Sequence, residues 1–321
     1  MSLSFATMSA PLSMAMGPFH RTMPVMSAAE TFKYPLPMVI GHRGAKQIAP
    51  ENTIASMRAA KAVGATCVEV DVMLTKDGVP VIHHDNTVDR CTNAQGRLSD
   101  FTWAEVCQMD AGSHFCPDFE GERIPKLEQL LHACMALGLE LNLEIKHSND
   151  DASAVPSEEE RQREVDLATV TCQTLLALDA NPERVFLSSF SIAALEVAQQ
   201  MLPHFKRSYL VEDIPAGWEE TVRRLGCVSF NFNWKKASRE QVEACARTGV
   251  PLYAYTVNDP ARAQELMSWG LAGVFSDCPH TIRRHLWSAG LNLARSSKLG
   301  PAVNQPPPAA LPFNGLIPMV A

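Results

Sequence analysis

The stretch from Cys67 to His84 reads CVEVDVMLTKDGVPVIHH. Two runs rich in β-branched residues, Cys67 to Leu74 and Val79 to His84, are typical of β-strands. Only Thr75 to Gly78 separates them, which is too short for the dozen or so residues that a crossover between parallel strands requires. The Asp-Gly pair in this linker is a strong hairpin signal. The sequence therefore predicts an antiparallel pair of strands here.

Outward from this hairpin, short apolar runs alternate with stretches of helical periodicity, the pattern of a parallel α/β sheet or barrel. The other predicted strands are Met38 to His42, Glu140 to Lys146, Val185 to Ser189, Ser208 to Val211, Val228 to Phe232, Leu252 to Val257 and Gly273 to Ser276. The predicted helices are Thr53 to Val63, Leu127 to Leu137, Glu159 to Leu178, Ile192 to Met201, Trp218 to Leu225, Arg239 to Thr248 and Pro260 to Trp269. With one strand assigned to the hairpin, the rest fit a modified (β/α)8 TIM barrel of about 250 residues. A long polar stretch, about residues 86–125, predicts a small insertion after the third strand, folded over the barrel mouth.

The two ends of the chain differ in composition from the predicted barrel domain, residues 36–297. Residues 1–35 are rich in methionine and predict a flexible N-terminal extension. A secretory signal is not expected there, because the basic start is missing and Pro11 interrupts the apolar run. Residues 298–321 are too rich in proline for a membrane helix and predict a tail. We therefore expect no stable membrane insertion.

Charge and cysteine content limit the partners and the compartment. The chain of 321 residues has 28 basic and 35 acidic residues and a formal charge of −7, and nucleic acid is not an expected partner because phosphate backbones are bound by basic surfaces. Nine scattered cysteines without a C-x-x-C pair favour reduced thiols, and we expect a cytoplasmic protein. A chain of this length can fold without a structural metal, so a bound metal is expected to be functional. The oligomeric state is not predicted.

Acidic residues stand on two predicted strands of a barrel whose active site is expected at the C-terminal ends of the strands. Glu69 and Asp71 are two residues apart and point to one face of the second strand, and Glu144 lies near the end of the fourth. Such residues, taken singly, are common on the solvated face of an edge strand. In a closed barrel all three point toward one mouth, where two carboxylates about 5 Å apart repel by roughly 3 kcal/mol at a dielectric of 20. The cluster predicts one divalent cation, Mg²⁺ or Ca²⁺, because oxygen ligands suit a hard ion.

Basic and imidazole side chains flank this predicted metal site. Arg43 comes directly after the first predicted strand, and Lys146 ends the fourth. Such cations beside a divalent ion typically bind a phosphate. Histidine side chains typically titrate near neutrality, so of His42 and His84 one can take a proton from the nucleophile while the other gives one to the leaving group. The chain has neither a Gly-rich phosphate loop nor a G-x-S-x-G elbow. These residues favour hydrolysis of a phosphodiester.

An ordered set of short motifs resembles those of the glycerophosphodiester phosphodiesterases. The motifs are HRG at 42–44, PENT at 50–53, E-x-D at 69–71, KDG at 76–78, HD at 84–85, EIK at 144–146 and TVN at 256–258. The match extends from about residue 38 to 285, and the bacterial cytoplasmic members are the most similar. The resemblance implies a modified (β/α)8 barrel with a small insertion after the third strand.

The resemblance also implies an activity, the metal-dependent cleavage of small glycerophosphodiesters to sn-glycerol 3-phosphate and an alcohol. Position by position it implies that His42 and His84 are the acid/base pair. It also implies that Glu69, Asp71 and Glu144 are the metal ligands. Arg43 and Lys146 are implied to bind the phosphate. The head group, the choice between Mg²⁺ and Ca²⁺, the order in which the histidines act, and direct water attack as against a cyclic intermediate all stay open.

Four neighbouring positions receive separate interpretations. His83 is expected to pack on the outer side of its strand, which leaves His84 for the site, and His147 is expected to be a neighbour of the site without a role. Tyr255 stands where the family often has tryptophan and adds a hydroxyl that could contact the head group. Pro50 to Thr53 predicts a helix start, with a supporting role in the site left open for its two central residues.

Two other functions fit parts of the sequence. A lysophospholipase D-type phosphodiesterase would use the same site and would need an apolar path for an acyl chain. The aromatic residues of the insertion could supply that path: Phe101, Trp103, Phe115 and Phe119. An inactive phosphodiester-binding barrel would normally have lost a catalytic or ligand residue, whereas every expected position is filled here.

Overall fold

The computed structural model describes residues 36–147 and 155–291. Its strands are β1 (Val39–Gly41), β2 (Cys67–Leu74), β3 (Pro80–Ile82), β4 (Glu140–Ile145), β5 (Val185–Ser189), β6 (Lys206–Val211), β7 (Ser229–Asn233), β8 (Leu252–Tyr255) and β9 (Gly273–Ser276). Its α-helices are α1 (Ile54–Ala62), α2 (Trp103–Val106), α3 (Leu127–Ala136), α4 (Glu158–Ala177), α5 (Ile192–Met201), α6 (Trp218–Arg224), α7 (Arg239–Ala246), α8 (Pro260–Ser268) and α9 (Pro279–Ser288). Short 3-10 helices cover Leu98–Asp100, Pro117–Phe119 and Trp234–Lys236.

Eight parallel strands close into a barrel. The order β1-β9-β8-β7-β6-β5-β4-β2 is closed by pairing between β1 and β2, and each of these pairs is parallel. Helices connect the strands on the outside, as right-handed crossovers between parallel strands require. The predicted (β/α)8 barrel is therefore confirmed.

The extra strand, β3, pairs antiparallel with β2 and lies outside the closed ring. The register places Val72 opposite Ile82 and Leu74 opposite Pro80. The turn between them is closed by the Thr75 hydroxyl, which donates to Asp77 and accepts from the Val79 amide. This confirms the predicted hairpin, although β3 is shorter than expected and His84 lies two residues beyond its end.

The packing of β2 explains how one strand serves both the core and the site. Val68, Val70 and Val72 face outward and are completely buried in a cluster with residues of α1 and α3, among them Ala59 and Leu131. The alternate residues of the strand must then point into the barrel. The hydrophobic contact on one face thereby fixes the direction of the acidic side chains on the other.

The insertion between β3 and α3 has a small core of its own. That core consists of Val81, Val88, Leu98, Val106, Met109, Ala111 and Ile124. Asp110 accepts hydrogen bonds from the backbone amides of Gly112, Ser113 and Gly121 and ties the two halves of the segment together. A loop that packs its own apolar residues in this way keeps a defined position over the barrel.

Some predicted features differ from the structure or fall outside it. Helices α2 and α9 were not predicted, although Ile282, Leu286 and Trp287 of α9 pack on the barrel core. Strands β1, β4 and β8 are one or two residues shorter than predicted. The predicted tails, residues 1–35 and 298–321, and the end of the predicted domain lie outside the described residues. Within the described ranges, none of the helices combines the length and the apolar character needed to span a membrane.

Candidate active site

The seven residues predicted from the sequence meet in one pocket of about 720 Å³ at the C-terminal ends of the strands. They follow or lie in four neighbouring elements, β1, β2, β3 and β4. The lining includes His42, Arg43, Glu69, Asp71, His84, Glu144 and Lys146. The insertion contributes Asn86, Thr87 and Arg97 to the same lining, so it forms part of the rim.

The three carboxylates form a tight buried cluster. One oxygen from each of Glu69, Asp71 and Glu144 lies within 4.8 Å of the others. Glu69 Oε1 is buried without a hydrogen-bond partner, and burial together with the charges of Asp71 and Glu144 raises the pKa of Glu69 well above its usual value. An orphaned carboxylate oxygen inside an acidic cluster is the environment that a hard cation satisfies. The residues present therefore fit a divalent ion.

Two cations share this cluster. Lys146 Nζ lies 3.0 Å from Glu144 Oε1 and 3.4 Å from Asp71 Oδ1, and Arg43 Nε lies 3.4 Å from Asp71 Oδ2. Burial alone would raise the pKa of Asp71, but the charges of Lys146, His84 and Arg43 hold it below the usual range. Three carboxylates and two cations leave a formal charge of −1 on the group.

Glycines on both sides of His42 and Arg43 determine where these two side chains lie. A Cβ at Gly41 would approach the carbonyl oxygen of Gly44 to 2.2 Å, and one at Gly44 would approach Ser56 Oγ to 2.3 Å. Gly44 also has a φ of +91°, which favours glycine, and Arg43 itself adopts a φ of 52°. The resulting tight turn brings the Arg43 amide within 2.9 Å of Glu69 Oε2.

Both predicted acid/base histidines have one ring nitrogen paired with a carboxylate. His42 Nδ1 lies 2.7 Å from Asp277 Oδ1, and His84 Nδ1 lies 2.6 Å from Asp85 Oδ1. A carboxylate accepts only, so Nδ1 carries the proton and Nε2 remains for chemistry in the pocket. Burial is the main cause that lowers the pKa of His42, and the charge of Arg43 adds to it, although Asp277 raises this pKa. The lowered pKa favours the neutral ring.

Several residues that hold the site in place were not predicted. Asp277 follows β9 and is held by Asn258, whose Nδ2 donates to Asp277 Oδ2 at 2.7 Å. Examining the residue after every predicted strand would have found Asp277, because β9 was predicted to end at Ser276. Asn258 is the last residue of the TVN motif, but its partner could not be inferred from that motif.

The two central residues of the PENT motif contact the site directly. Asn52 Nδ2 donates to Asp71 Oδ2 at 2.8 Å, while Glu51 accepts from Arg43 Nη1 at 2.6 Å. The helix-capping interpretation also holds, since Thr53 accepts from the Ser56 amide as the N-cap of α1. The motif therefore begins a helix and supports two site residues at once.

The remaining predictions concern the wall of the pocket. His83 is buried, donates from Nε2 to the Thr87 carbonyl and does not line the pocket, as expected. His147 does line it, with its ring edge-on to Phe190 at 5.2 Å. The Tyr255 ring lines the same wall, but its hydroxyl donates to the Val211 carbonyl at 2.6 Å and is thereby engaged within the protein.

The aromatic residues of the insertion lie elsewhere. The lining of the pocket includes none of Phe101, Trp103, Phe115 and Phe119. Phe101 and Trp103 pack on the core of the insertion, Phe119 packs against the main barrel core, and Phe115 is partly exposed beside it. The apolar path that the lysophospholipase D-type alternative would need is thus not formed by these side chains.

The closed barrel and its pocket define a barrel phosphodiesterase, and comparisons with known proteins give the family. Residues 42–281 match the model of the glycerophosphoryl diester phosphodiesterase family. The chain is 34% identical over 246 residues to a glycerophosphodiester phosphodiesterase of Caldanaerobacter subterraneus, covering 76% of this chain and 96% of the relative. It is 31% identical over 261 residues to that of Bacillus subtilis, covering 77% and 85%. The chain belongs to the glycerophosphodiester phosphodiesterase family and is an enzyme of this class.

A solved structure supports the same assignment. A phosphodiesterase from Oleispira antarctica, solved in complex with the product sn-glycerol-3-phosphate, is 34% identical to this chain. The two superpose with a TM-score of 0.70, covering 78% of this chain and 97% of the other. The barrel described above is therefore also the fold of that phosphodiesterase.

Proposed function

We propose that this chain hydrolyses small glycerophosphodiesters to sn-glycerol 3-phosphate and an alcohol, with His42 and His84 as the acid/base pair. The observation that carries the proposal is the convergence of three carboxylates, two cations and two carboxylate-paired histidines in one pocket. In the reaction water adds to phosphorus, the bond from phosphorus to the alcohol oxygen breaks, and one proton passes from the water to the leaving oxygen.

The charges of the pocket match such a substrate once a cation is bound. Glu69, Asp71 and Glu144 would hold one Mg²⁺ or Ca²⁺, which would polarise the phosphoryl oxygens and stabilise the charge that develops on them. The formal charge of −1 left by the carboxylates with Arg43 and Lys146 would become +1. A phosphodiester carries a single negative charge, so the complex would be neutral.

The chain's own residues then divide the remaining work. Arg43 and Lys146 bind the phosphate oxygens through charge-assisted hydrogen bonds. His42, which burial keeps in its neutral form, accepts the proton of the attacking water at Nε2. His84 donates a proton to the leaving alcohol oxygen.

An Asp277→Asn variant tests the role of the carboxylate behind His42. Because Asn258 Nδ2 donates to this side chain, the introduced amide would turn its oxygen toward Asn258 and its NH₂ toward His42 Nδ1. That arrangement favours the wrong tautomer of His42, and we expect kcat to fall by about 10²-fold with little change in KM. Steady-state kinetics measures this.

The matched control for that variant is Asp166→Asn on the exposed surface of α4. It makes the same chemical change without touching the pocket, and it should keep the kinetic constants of the parent enzyme. Equal kcat values for the Asp277 and Asp166 variants would show that the carboxylate does not orient His42.

A coupled assay with glycerol-3-phosphate dehydrogenase tests the proposed function. Glycerophosphocholine, glycerophosphoethanolamine and glycerophosphoglycerol should each yield sn-glycerol 3-phosphate, and lysophosphatidylcholine should be a poor substrate because the insertion aromatics do not line the pocket. Choline release would be followed separately for the lysolipid. A preference for lysophosphatidylcholine would instead establish the lysophospholipase D-type activity, and binding without turnover of any diester would establish an inactive barrel.

The surroundings of the enzyme are part of the proposal. All nine cysteines are free thiols, and most of them are buried, which supports a reducing, cytoplasmic location.

We further propose that residues 36–297 form the barrel domain, with residues 86–125 as its insertion. The formal charge of −7 supports a small-molecule substrate in preference to nucleic acid.

A further inference from the structure

Arg90, in the insertion, joins two carboxylates on opposite sides of its guanidinium group. Its Nε lies 2.6 Å from Asp85 Oδ2. Its Nη1 and Nη2 lie 2.8 Å from the two oxygens of Glu51, so this second contact is bidentate. A planar guanidinium can make both contacts at once, whereas a lysine ammonium lacks the required fork.

Each of these carboxylates also holds a residue proposed to act on the substrate. Asp85 Oδ1 lies 2.6 Å from His84 Nδ1, and Glu51 Oε1 accepts from Arg43 Nη1 at 2.6 Å. A continuous series of contacts therefore connects His84 to Arg43, and Arg90 is its central member. The charges of Arg90 and Arg43 hold the pKa of Glu51 far below its usual value although burial opposes this, so Glu51 stays ionised.

We propose that Arg90 is a positioning residue, which orients His84 through Asp85 and Arg43 through Glu51. The proposal rests on the roles proposed above for His84 and Arg43. Through this residue the insertion takes part in assembling the active site, in addition to forming its rim.

The exposure of Arg90 separates a positioning role from a merely structural one. Its side chain is 47% exposed, and the buried Glu51 keeps its ion pairs with Arg43 and Lys46, so loss of Arg90 leaves no buried charge unpaired. A displacement of about 1 Å in a reacting group can cost about 10²-fold in rate. Loss of Arg90 should therefore affect turnover far more than folding.

The alternative partners of the two carboxylates do not replace Arg90. Without it Asp85 would keep only His84 among the contacts described here, so its second oxygen would no longer be fixed. Glu51 would keep Arg43 and the more distant Lys46, whose Nζ lies 3.3 Å away. Rotation of either carboxylate would move the group bound to it.

The test compares Arg90→Ala, Arg90→Lys and the control Arg123→Ala, assayed with glycerophosphocholine beside the parent enzyme. Arg123 lies in the same insertion, is exposed and contacts only the Gln108 carbonyl among the contacts described, so its replacement should leave activity unchanged. We expect Arg90→Ala to lower kcat about 30- to 100-fold, with a melting temperature within about 2 °C of the parent. The kcat of Arg90→Lys should lie between those of Arg90→Ala and the parent enzyme.

Chemical rescue gives a readout that a structural role would not move. Guanidinium at about 20 mM can occupy the space left in Arg90→Ala and restore the two contacts, so kcat should rise at least tenfold. No rise is expected for Arg90→Lys, in which a side chain fills that space, or for Arg123→Ala.

Two results would overturn the proposal: kcat of Arg90→Ala within threefold of the parent value, or a loss that guanidinium does not reverse. An inactive parent enzyme would contradict the proposed function itself, whereas an active parent with a fully active Arg90→Ala variant would contradict only this inference.

Discussion

Replacing His42 with alanine is expected to lower kcat for glycerophosphocholine by about 10²- to 10⁴-fold, the usual contribution of a general acid or base. Asp277 fixes the His42 ring through Nδ1, and burial favours the neutral ring, so the variant would lack the Nε2 that we propose as the proton acceptor. Arg43 and Lys146 remain to bind the phosphate. KM should consequently change by much less than kcat.

The same reasoning applies to His84→Ala, where the lost group is the proposed proton donor to the leaving oxygen. A His132→Ala variant provides the control, because His132 is exposed on the outer surface of α3. We expect kcat to fall strongly in both site variants and to stay at the parent value in His132→Ala. If kcat of His42→Ala stayed within tenfold of the parent value in a folded protein, His42 would have no acid/base role.

Removal of divalent ions should abolish turnover, and this is the second large effect. Without a cation, Glu69 Oε1 is left without a partner beside Asp71 and Glu144, and the site lacks the positive charge that would polarise the phosphoryl oxygens. We expect EDTA to lower the rate at least about 10²-fold and added Mg²⁺ or Ca²⁺ to restore it.

Thermal unfolding tests the same ion without reference to activity. An ion at 100 times its Kd should stabilise the parent enzyme by about 2.7 kcal/mol, and Glu69→Gln should abolish that response. The exposed Glu128→Gln on α3 should retain it.

The metal-free form of Glu69→Gln supplies an additional check. Burial and the charges of Asp71 and Glu144 raise the pKa of Glu69 in the folded state. At pH 7, above the pKa that a glutamate has in the unfolded chain, Glu69 therefore lowers stability until an ion binds. Metal-free Glu69→Gln should unfold at the same or a higher temperature than the metal-free parent. A metal response retained in Glu69→Gln would show that the ion binds elsewhere.

The fold followed from local signals in the sequence. The four-residue linker after Leu74 required an antiparallel pair, and the alternation of strands and helices left eight parallel strands for a barrel. The valines of β2 fixed the direction of Glu69 and Asp71, because side chains alternate along a strand. These features could be predicted since each depends on residues close together in the chain.

The contacts that orient the site could not be predicted in the same way. His42 and Asp277 are 235 residues apart, and Arg90 and Glu51 are 39 residues apart. Such pairs form only when the barrel closes and the insertion packs, and no periodicity in the sequence reports them.

The most direct test of the central claim is sn-glycerol 3-phosphate release from glycerophosphocholine in three parallel samples. The samples are the metal-loaded enzyme, the same enzyme in EDTA, and metal-loaded His42→Ala. We predict rapid release in the first and at least about 10²-fold slower release in each of the others. Release that survives both EDTA and His42→Ala would contradict a metal-dependent, histidine-catalysed hydrolysis.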